Sequence, residues 1–173
     1  SSDDIIDLTG TFTWTDAAES GDAATTGYTI AKNLTIQGQG AGATYIQAAS
    51  SENSADRRVF TATNTATFDA LTISGITIRY GVSTGGGNTS AGLLMLTTNS
   101  HYDIVVNINE CSFEDNNITG FSSDNSYSGG GLSFSGYAYG TLAINKTTFK
   151  DNSAYVASRG AGALYIHQYV NAT

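Results

Sequence analysis

Two short segments of the chain repeat an apolar residue, an aspartate and an asparagine in the same order. Residues 111–116 are CSFEDN and residues 147–152 are TTFKDN, so Asp115-Asn116 recurs 36 positions later as Asp151-Asn152. On adjacent turns of a repeating structure, the two carboxylates would lie close enough to share a proton or to bind Ca²⁺ with backbone oxygens. Alternatively, Asp-Asn fits a tight turn, and Asn116 and Asn152 form a hydrogen-bonded ladder. We prefer the turn and ladder.

No other set of residues in the sequence has the spacing of a catalytic or metal site. The two histidines, His101 and His167, are far apart, and neither belongs to a recognisable ligand motif. The single cysteine, Cys111, occupies an apolar position of the repeat, which predicts a buried and unreactive thiol. No Ser–His–Asp arrangement is recognisable. We therefore predict no catalytic residues, no resident metal and no enzymatic activity.

Two further groups of residues are candidates for contacts outside the chain. Tyrosines in segments expected to be loops could stack on sugars or lie in a protein interface, or pack in the core; they are Tyr127, Tyr137, Tyr139, Tyr155 and Tyr169. Asn-x-Ser/Thr sequons, which are glycosylation sites only in a suitable host, occur at Asn33, Asn88, Asn117, Asn145 and Asn171. We expect Asn145 to point outward.

The elements that must position these residues form a repeat of short strands. LTIQG (34–38), LTISG (71–75), VNINE (106–110) and LAINK (142–146) each alternate apolar and polar residues, at steps of 37, 35 and 36. Period-two alternation predicts a strand with one buried face. A second apolar pair follows each of the last three copies: Ile76/Ile78, Cys111/Phe113 and Thr147/Phe149. We predict a third strand in AGATYI (41–46), AGLLML (91–96), GGGLSF (129–134) and AGALYI (161–166).

This repeat predicts an all-β fold, a parallel β-helix (β-solenoid) of about four coils. A fixed period of 20–50 residues is typical of stacked architectures, and the absence of proline suits uninterrupted ladders between coils. We assign residues 28–173 to the solenoid and residues 1–27 to an N-terminal strand and cap, with Trp14 as an apolar plug. We expect an open strand edge at the far end, which is an association site.

The FEDN (113–116), FKDN (149–152), GGGL and AGAL segments resemble the repeats of right-handed parallel β-helix surface proteins, including the polymorphic outer membrane proteins. The stretch NLTIQGQGAGATYIQA (33–48) also resembles the pectin-lyase-like superfamily. The resemblance implies a right-handed coil and a surface, adhesive or structural role, with polysaccharide lyases and hydrolases as the enzymatic minority. Those enzymes need acids combined with a basic residue, whereas Arg57, Arg58, Arg79 and Arg159 are scattered here.

Composition and charge exclude some classes of function. A net charge of −8 argues against a nucleic-acid partner, and no apolar run is long enough to span a membrane. The chain opens on Ser1-Ser2-Asp3-Asp4, which suits a mature chain after cleavage. We predict an extracellular or cell-surface structural and adhesive solenoid, whose partners are other copies, in an oligomer or filament, or surface glycans. The alternatives are a polysaccharide-binding or polysaccharide-degrading module, and an ice-binding surface built on the threonines of FTATNTATF (60–68).

Overall fold

The computed structural model describes residues 4–14, 27–63, 68–84, 89–97, 104–119, 127–136, 140–155, 159–167 and 170–172. All regular elements in these ranges are β-strands. In chain order they are β1 (Asp4–Asp7), β2 (Gly10–Thr13), β3 (Tyr28–Ile30), β4 (Leu34–Gln37), β5 (Thr44–Gln47), β6 (Phe60–Thr63), β7 (Ala70–Ser74), β8 (Thr77–Arg79), β9 (Val82–Ser83), β10 (Thr89–Ser90), β11 (Leu93–Thr97), β12 (Ile104–Asn109), β13 (Ser112–Glu114), β14 (Asn117–Ile118), β15 (Tyr127–Gly129), β16 (Leu132–Gly136), β17 (Gly140–Asn145), β18 (Thr148–Lys150), β19 (Ser153–Ala154), β20 (Arg159–Ala161), β21 (Leu164–His167) and β22 (Val170–Ala172).

These strands stack into parallel sheets that run the length of the described chain. The first sheet has the order β1-β4-β7-β12-β17-β22, the second β2-β5-β8-β13-β18 and the third β3-β6-β11-β16-β21. Two narrower sheets, β9-β14-β19 and β10-β15-β20, close the side between the second and third. Each strand pairs with its equivalent one coil away, so the chain winds as a parallel β-solenoid. The predicted fold class is confirmed.

The Leu-x-Ile repeat forms the buried columns of the first sheet. Leu34 pairs with Leu71, Leu71 with Val106 and Val106 with Leu142, and the same register continues two residues later from Ile36 to Ile144. Both columns face the core, because side chains two positions apart along a strand lie on the same face. The predicted equivalence of these four segments is confirmed. β1 and β22 extend this sheet beyond them.

One predicted equivalence is wrong. AGATYI (41–46) leads into β5, which belongs to the second sheet, where Tyr45 pairs with Thr77. The third strand of that coil is β6, which pairs with β11 through Phe60 and Leu93. The Ala-Gly dipeptide misled the comparison because it has two roles: Gly42 (φ 95°) makes a turn, whereas a Cβ on Gly92 would lie 2.2 Å from a neighbouring carbonyl oxygen.

The N-terminal segment contributes strands to two of the sheets. β1 pairs in register with β4, and β2 pairs with β5. Trp14 is buried, with its ring centroid 4.3 Å from that of Tyr28 and 4.9 Å from the guanidinium carbon of Arg57. Residues 15–26 lie outside the described residues. The boundary at residue 28 and the cap therefore stay predictions.

Candidate functional site

The recurring aspartates occupy a corner with a left-handed backbone. Asp115 has φ 51° and Asp151 has φ 53°, and Tyr80 holds the same position one coil earlier with φ 61°. Asparagine and aspartate visit this region more readily than other residues with a Cβ, because their short polar side chains bond locally. The Asp-Asn dipeptide therefore has a conformational role at the turn that follows each strand of the second sheet.

The asparagines behind this corner are hydrogen-bonded between coils. Asn116 is fully buried; its Oδ1 accepts from the backbone N–H of Gly81 at 3.0 Å, and its Nδ2 donates to the carbonyl of Ile78 at 3.0 Å. The same Nδ2 donates to Asn152 Oδ1 at 2.9 Å. Asn152 repeats the pattern, since its Nδ2 donates to the carbonyl of Phe113 at 2.7 Å. Each amide thus satisfies backbone groups of the preceding coil that the turn leaves unpaired.

The glycine-rich segments pack directly against this ladder. A Cβ on Gly92 would lie 3.2 Å from Asn116 Nδ2, and one on Gly130 would lie 3.0 Å from the Asn116 carbonyl and 2.3 Å from another carbonyl oxygen. A Cβ on Gly131 would meet Asn152 Cγ at 3.3 Å. Larger residues would therefore push the corner apart. The Asp-Asn and Gly-Gly motifs, which are separate in the sequence, form one structural unit.

Several acids surround the corner on its solvent side. The pKa of Asp115 is raised, first by partial burial and then by Glu52, Asp151 and Glu114, with Lys150 opposing the shift. Within the described ranges, no group of three or more His, Cys, Asp or Glu side chains is placed to hold a metal ion. Calcium binding by Asp115 and Asp151 with backbone oxygens stays an untested alternative.

We expect Asp115→Asn to raise the free energy of unfolding at pH 7 by about 0.5 kcal/mol, the size typical of exposed charge interactions. Because the folded-state pKa of Asp115 is raised, the folded chain binds this proton more tightly than the unfolded chain. Its charge therefore opposes folding above the folded pKa, and that cost disappears once the pH falls below the unfolded value. Asparagine tolerates the φ of 51°. Urea denaturation at pH 7 and pH 3 tests this; an equal gain at both values would contradict the electrostatic cause.

Beside the corner lies a polar groove of about 490 Å³. Its lining comes from the loop after β5 and from the β14 and β19 region, and consists of Glu52, Asn53, Asn117, Ile118, Thr119, Asp151, Ser153 and Tyr155. Asn117 Nδ2 donates to Asn53 Oδ1 at 2.7 Å and to Glu52 Oε1 at 3.2 Å. Ser153 Oγ donates to Asn117 Oδ1 at 2.7 Å. The loop is thereby tied to coils that follow it much later in the chain.

Four of the sequence-predicted residues come together at this groove: Asp115 at its margin, and Asn117, Asp151 and Tyr155 in its lining. Tyr155 is 68% exposed there. Sequence reasoning missed Glu52 and Asn53, because their contacts with Asn117 span more than sixty residues and no repeat marks them. Tyr127 lies on β15 without a described side chain, and Tyr137, Tyr139 and Tyr169 lie outside the described residues.

The sequons differ in accessibility. Asn145 is exposed at the end of β17. Asn33 is partly exposed, and its Nδ2 donates to Asp69 Oδ1 at 2.6 Å. Asn117 is only 7% exposed, so a glycan on its Nδ2 would have to displace both acceptors in the groove. Asn88 lies outside the described residues, and Asn171 lies on β22, where side chains are not described.

A second surface lies at the N-terminal end of the solenoid, and it is apolar. We call it the first-coil opening: a depression of about 320 Å³ lined by Ile6, Leu8, Phe12, Tyr28, Thr29, Ile30, Leu34, Ile36, Ile46 and Phe60. Ile5, Ile6 and Phe12 are among the exposed large apolar residues of the described chain. The sequence predicted a cap at this end, and neither the alternation in β1 nor that in β2 had indicated the opening.

Cys111 carries no reactive character. Its thiol is buried and free, and burial raises its pKa above the ordinary value. A thiol that stays protonated at neutral pH is a poor nucleophile and a poor metal ligand.

The chain matches no protein-family model, no curated protein and no solved structure. The resemblance to particular β-helix families therefore rests on the sequence motifs alone. Among the described residues, no helix has the length and apolar character needed to cross a membrane.

Proposed function

We propose that this chain is a non-enzymatic, extracellular structural solenoid that associates end to end within a cell-surface assembly or filament. The first-coil opening is the observation that carries the proposal, because it places exposed apolar side chains beside the end of a β-stack. Contiguous apolar surface rimmed by polar residues is typical of a protein contact. The motif resemblance to surface β-helices, whose members are mostly adhesive or structural, supports the extracellular part.

Unpaired strands at the same end support the proposal. In the described part of the chain, β1, β2 and β3 each pair on one side only, so their outer backbone groups are open to another strand. An open sheet edge templates pairing with a further chain, and burying apolar area adds about 25 cal/mol per Å². Both contributions act on the same surface.

We expect Ile6→Asp to prevent self-association of the full chain, whereas Val105→Asp leaves it unchanged. The two positions are matched, since Ile6 is 44% exposed at the first-coil opening and Val105 is 43% exposed on β12 in the middle of the first sheet. Sedimentation velocity across concentrations, with electron microscopy of undenatured material, measures the assembly state. Circular dichroism checks that both variants fold. A wild-type chain that stays monomeric at every concentration would overturn the proposal.

Glycan binding is a second candidate, and the polar groove favours it. Its exposed Tyr155 lies beside carboxylates and amides, a combination that suits stacking on a sugar ring and hydrogen bonds to hydroxyls. Glu52 and Asp151 would repel acidic sugars, so neutral glycans fit best.

We expect Tyr155→Ala to reduce binding to neutral glycans at least tenfold on a glycan array, and Tyr155→Phe to retain most of it because the ring remains. Binding that is absent in the wild-type chain, or equal in the wild type and Tyr155→Ala, would exclude the groove as a glycan site.

A further inference from the structure

Charge is distributed unequally along the chain. Residues 1–27 contain six acidic residues and no Lys or Arg: Asp3, Asp4, Asp7, Asp16, Glu19 and Asp22. Residues 140–173 contain three basic residues, Lys146, Lys150 and Arg159, against the single acid Asp151. A chain whose net charge is −8 therefore has an acidic beginning and a basic final part.

The solenoid converts this sequence asymmetry into opposite charges at its two ends. Asp4 and Asp7 lie on β1, the terminal strand of the first sheet. Asp4 forms an ion pair with Lys32, which follows β3, but its side chain remains 55% exposed. Lys150 lies on β18, the terminal strand of the second sheet at the other end, and Lys146 lies in the turn just before it. The side chains of Lys146 and Lys150 are 71% and 66% exposed, so both reach solvent beyond their local acidic neighbours Glu110 and Asp151.

The apolar columns also reach both ends. The second-sheet column runs from Phe12 through Ile46, Ile78 and Phe113 to Phe149, whose ring stacks on Phe113 at 5.0 Å. The third-sheet column runs from Tyr28 to Leu164. Phe149 and Leu164 are only partly buried. The last described coil therefore presents the same kinds of side chain, in the same columns, as the first.

β22 makes the basic end stepped. Among the described residues it adds a strand to the first sheet only, whereas the second and third sheets extend no further than β18 and β21. A neighbouring chain resting on β22 would stand one further strand spacing, about 4.8 Å, away from β18 and β21. Long flexible side chains bridge such a gap more readily than a backbone ladder does, and lysines occupy that side of the step.

We infer that the partner at the first-coil opening is a second copy of this chain, docked head to tail, with its basic last coil facing the acidic first coil. This inference rests on the proposed self-association. Head-to-head contact would bring two acidic ends together, and like charges oppose such an interface. A head-to-tail contact is heterologous and does not close on itself unless the rotation happens to form a ring, so it propagates into a filament.

Charge reversal at each end provides the test. We expect Lys146→Glu/Lys150→Glu to raise the concentration needed for assembly at least tenfold, and Asp4→Lys/Asp7→Lys to do the same. At the four substituted positions, each double variant then carries charge of a single sign at both ends of the described sheets. Mixed in equal amounts, they should assemble together, because each acidic end now meets a basic one. Sedimentation velocity of each variant and of the mixture, at 50 mM and 500 mM NaCl, is the measurement.

The outcomes separate the two proposals. A monomeric wild-type chain overturns self-association itself, and the head-to-tail inference with it. A wild-type chain that assembles, with double variants that assemble equally well, leaves self-association standing and overturns only the head-to-tail charge pairing. Variants that fail alone and also fail when mixed likewise overturn it, provided that circular dichroism shows both to be folded.

Discussion

Replacing Asn116 by Ala is expected to lower the free energy of unfolding by about 3 kcal/mol, because a buried polar group left without a partner costs about 1–3 kcal/mol. The substitution removes the acceptor for the Gly81 N–H and the donor to the Ile78 carbonyl, both inside the solenoid. It also removes the side-chain link to Asn152. No water-accessible route to the ladder compensates, since Asn116 is fully buried.

Asn152→Ala is the matched control for this prediction. Asn152 holds the same position one coil later but is only partly buried. Its Nδ2 donates to the Phe113 carbonyl at 2.7 Å, and its Oδ1 accepts from the backbone N–H of Asn116 at 3.2 Å and from Asn116 Nδ2 at 2.9 Å. Because water can replace part of these interactions at a partly buried side chain, we expect about half the loss of unfolding free energy. Urea denaturation followed by Trp14 fluorescence measures both variants. Equal losses of unfolding free energy in Asn116→Ala and Asn152→Ala would show that the contribution of each asparagine to stability does not depend on its burial.

Phe113→Ala is expected to destabilise the chain by about 3–5 kcal/mol, the range measured for truncating a fully buried aromatic side chain. Phe113 lies in the core between Ile78 and Phe149, and its ring stacks nearly parallel to that of Phe149, at an angle of 8°. Truncation leaves a cavity and removes contacts with coils on both sides. In a stacked repeat, the free energy of unfolding depends on contacts between neighbouring coils. Truncating a residue in a central coil therefore weakens two of these interfaces.

Phe149→Ala tests that explanation in the same column. Phe149 is partly buried in the last described coil and faces a described neighbour on one side only. We expect Phe149→Ala to lower the free energy of unfolding by about 1–2 kcal/mol, because less surface is buried there and solvent fills the space left behind. Urea denaturation should separate the two variants clearly. A loss at Phe149 as large as that at Phe113 would refute the nearest-neighbour account.

Much of this fold can be predicted from local sequence patterns. Alternation at Leu34/Ile36 and its copies determines which strand face is buried, because side chains two apart share a face. The 36-residue recurrence of Asp115-Asn116 places the two dipeptides at the same point of successive coils, and the structure shows their asparagines hydrogen-bonded. Both features involve residues whose spacing equals one coil, so the repeat period and the residue types were sufficient to predict them.

Only the tertiary structure decided which surfaces the coils present. The sequence misplaced AGATYI, because a shared Ala-Gly dipeptide does not say whether glycine makes a turn or admits a neighbouring backbone. The sequence did not predict the contacts of Glu52 and Asn53 with Asn117. The loops differ in length between coils, so the repeat period does not say where their residues lie. Nor did the sequence show that Ile6 and Phe12 lie at an open end, where strand alternation continues but no further described coil covers the apolar face. Alternation specifies a strand's inner face locally, whereas burial depends on what the rest of the chain stacks against it.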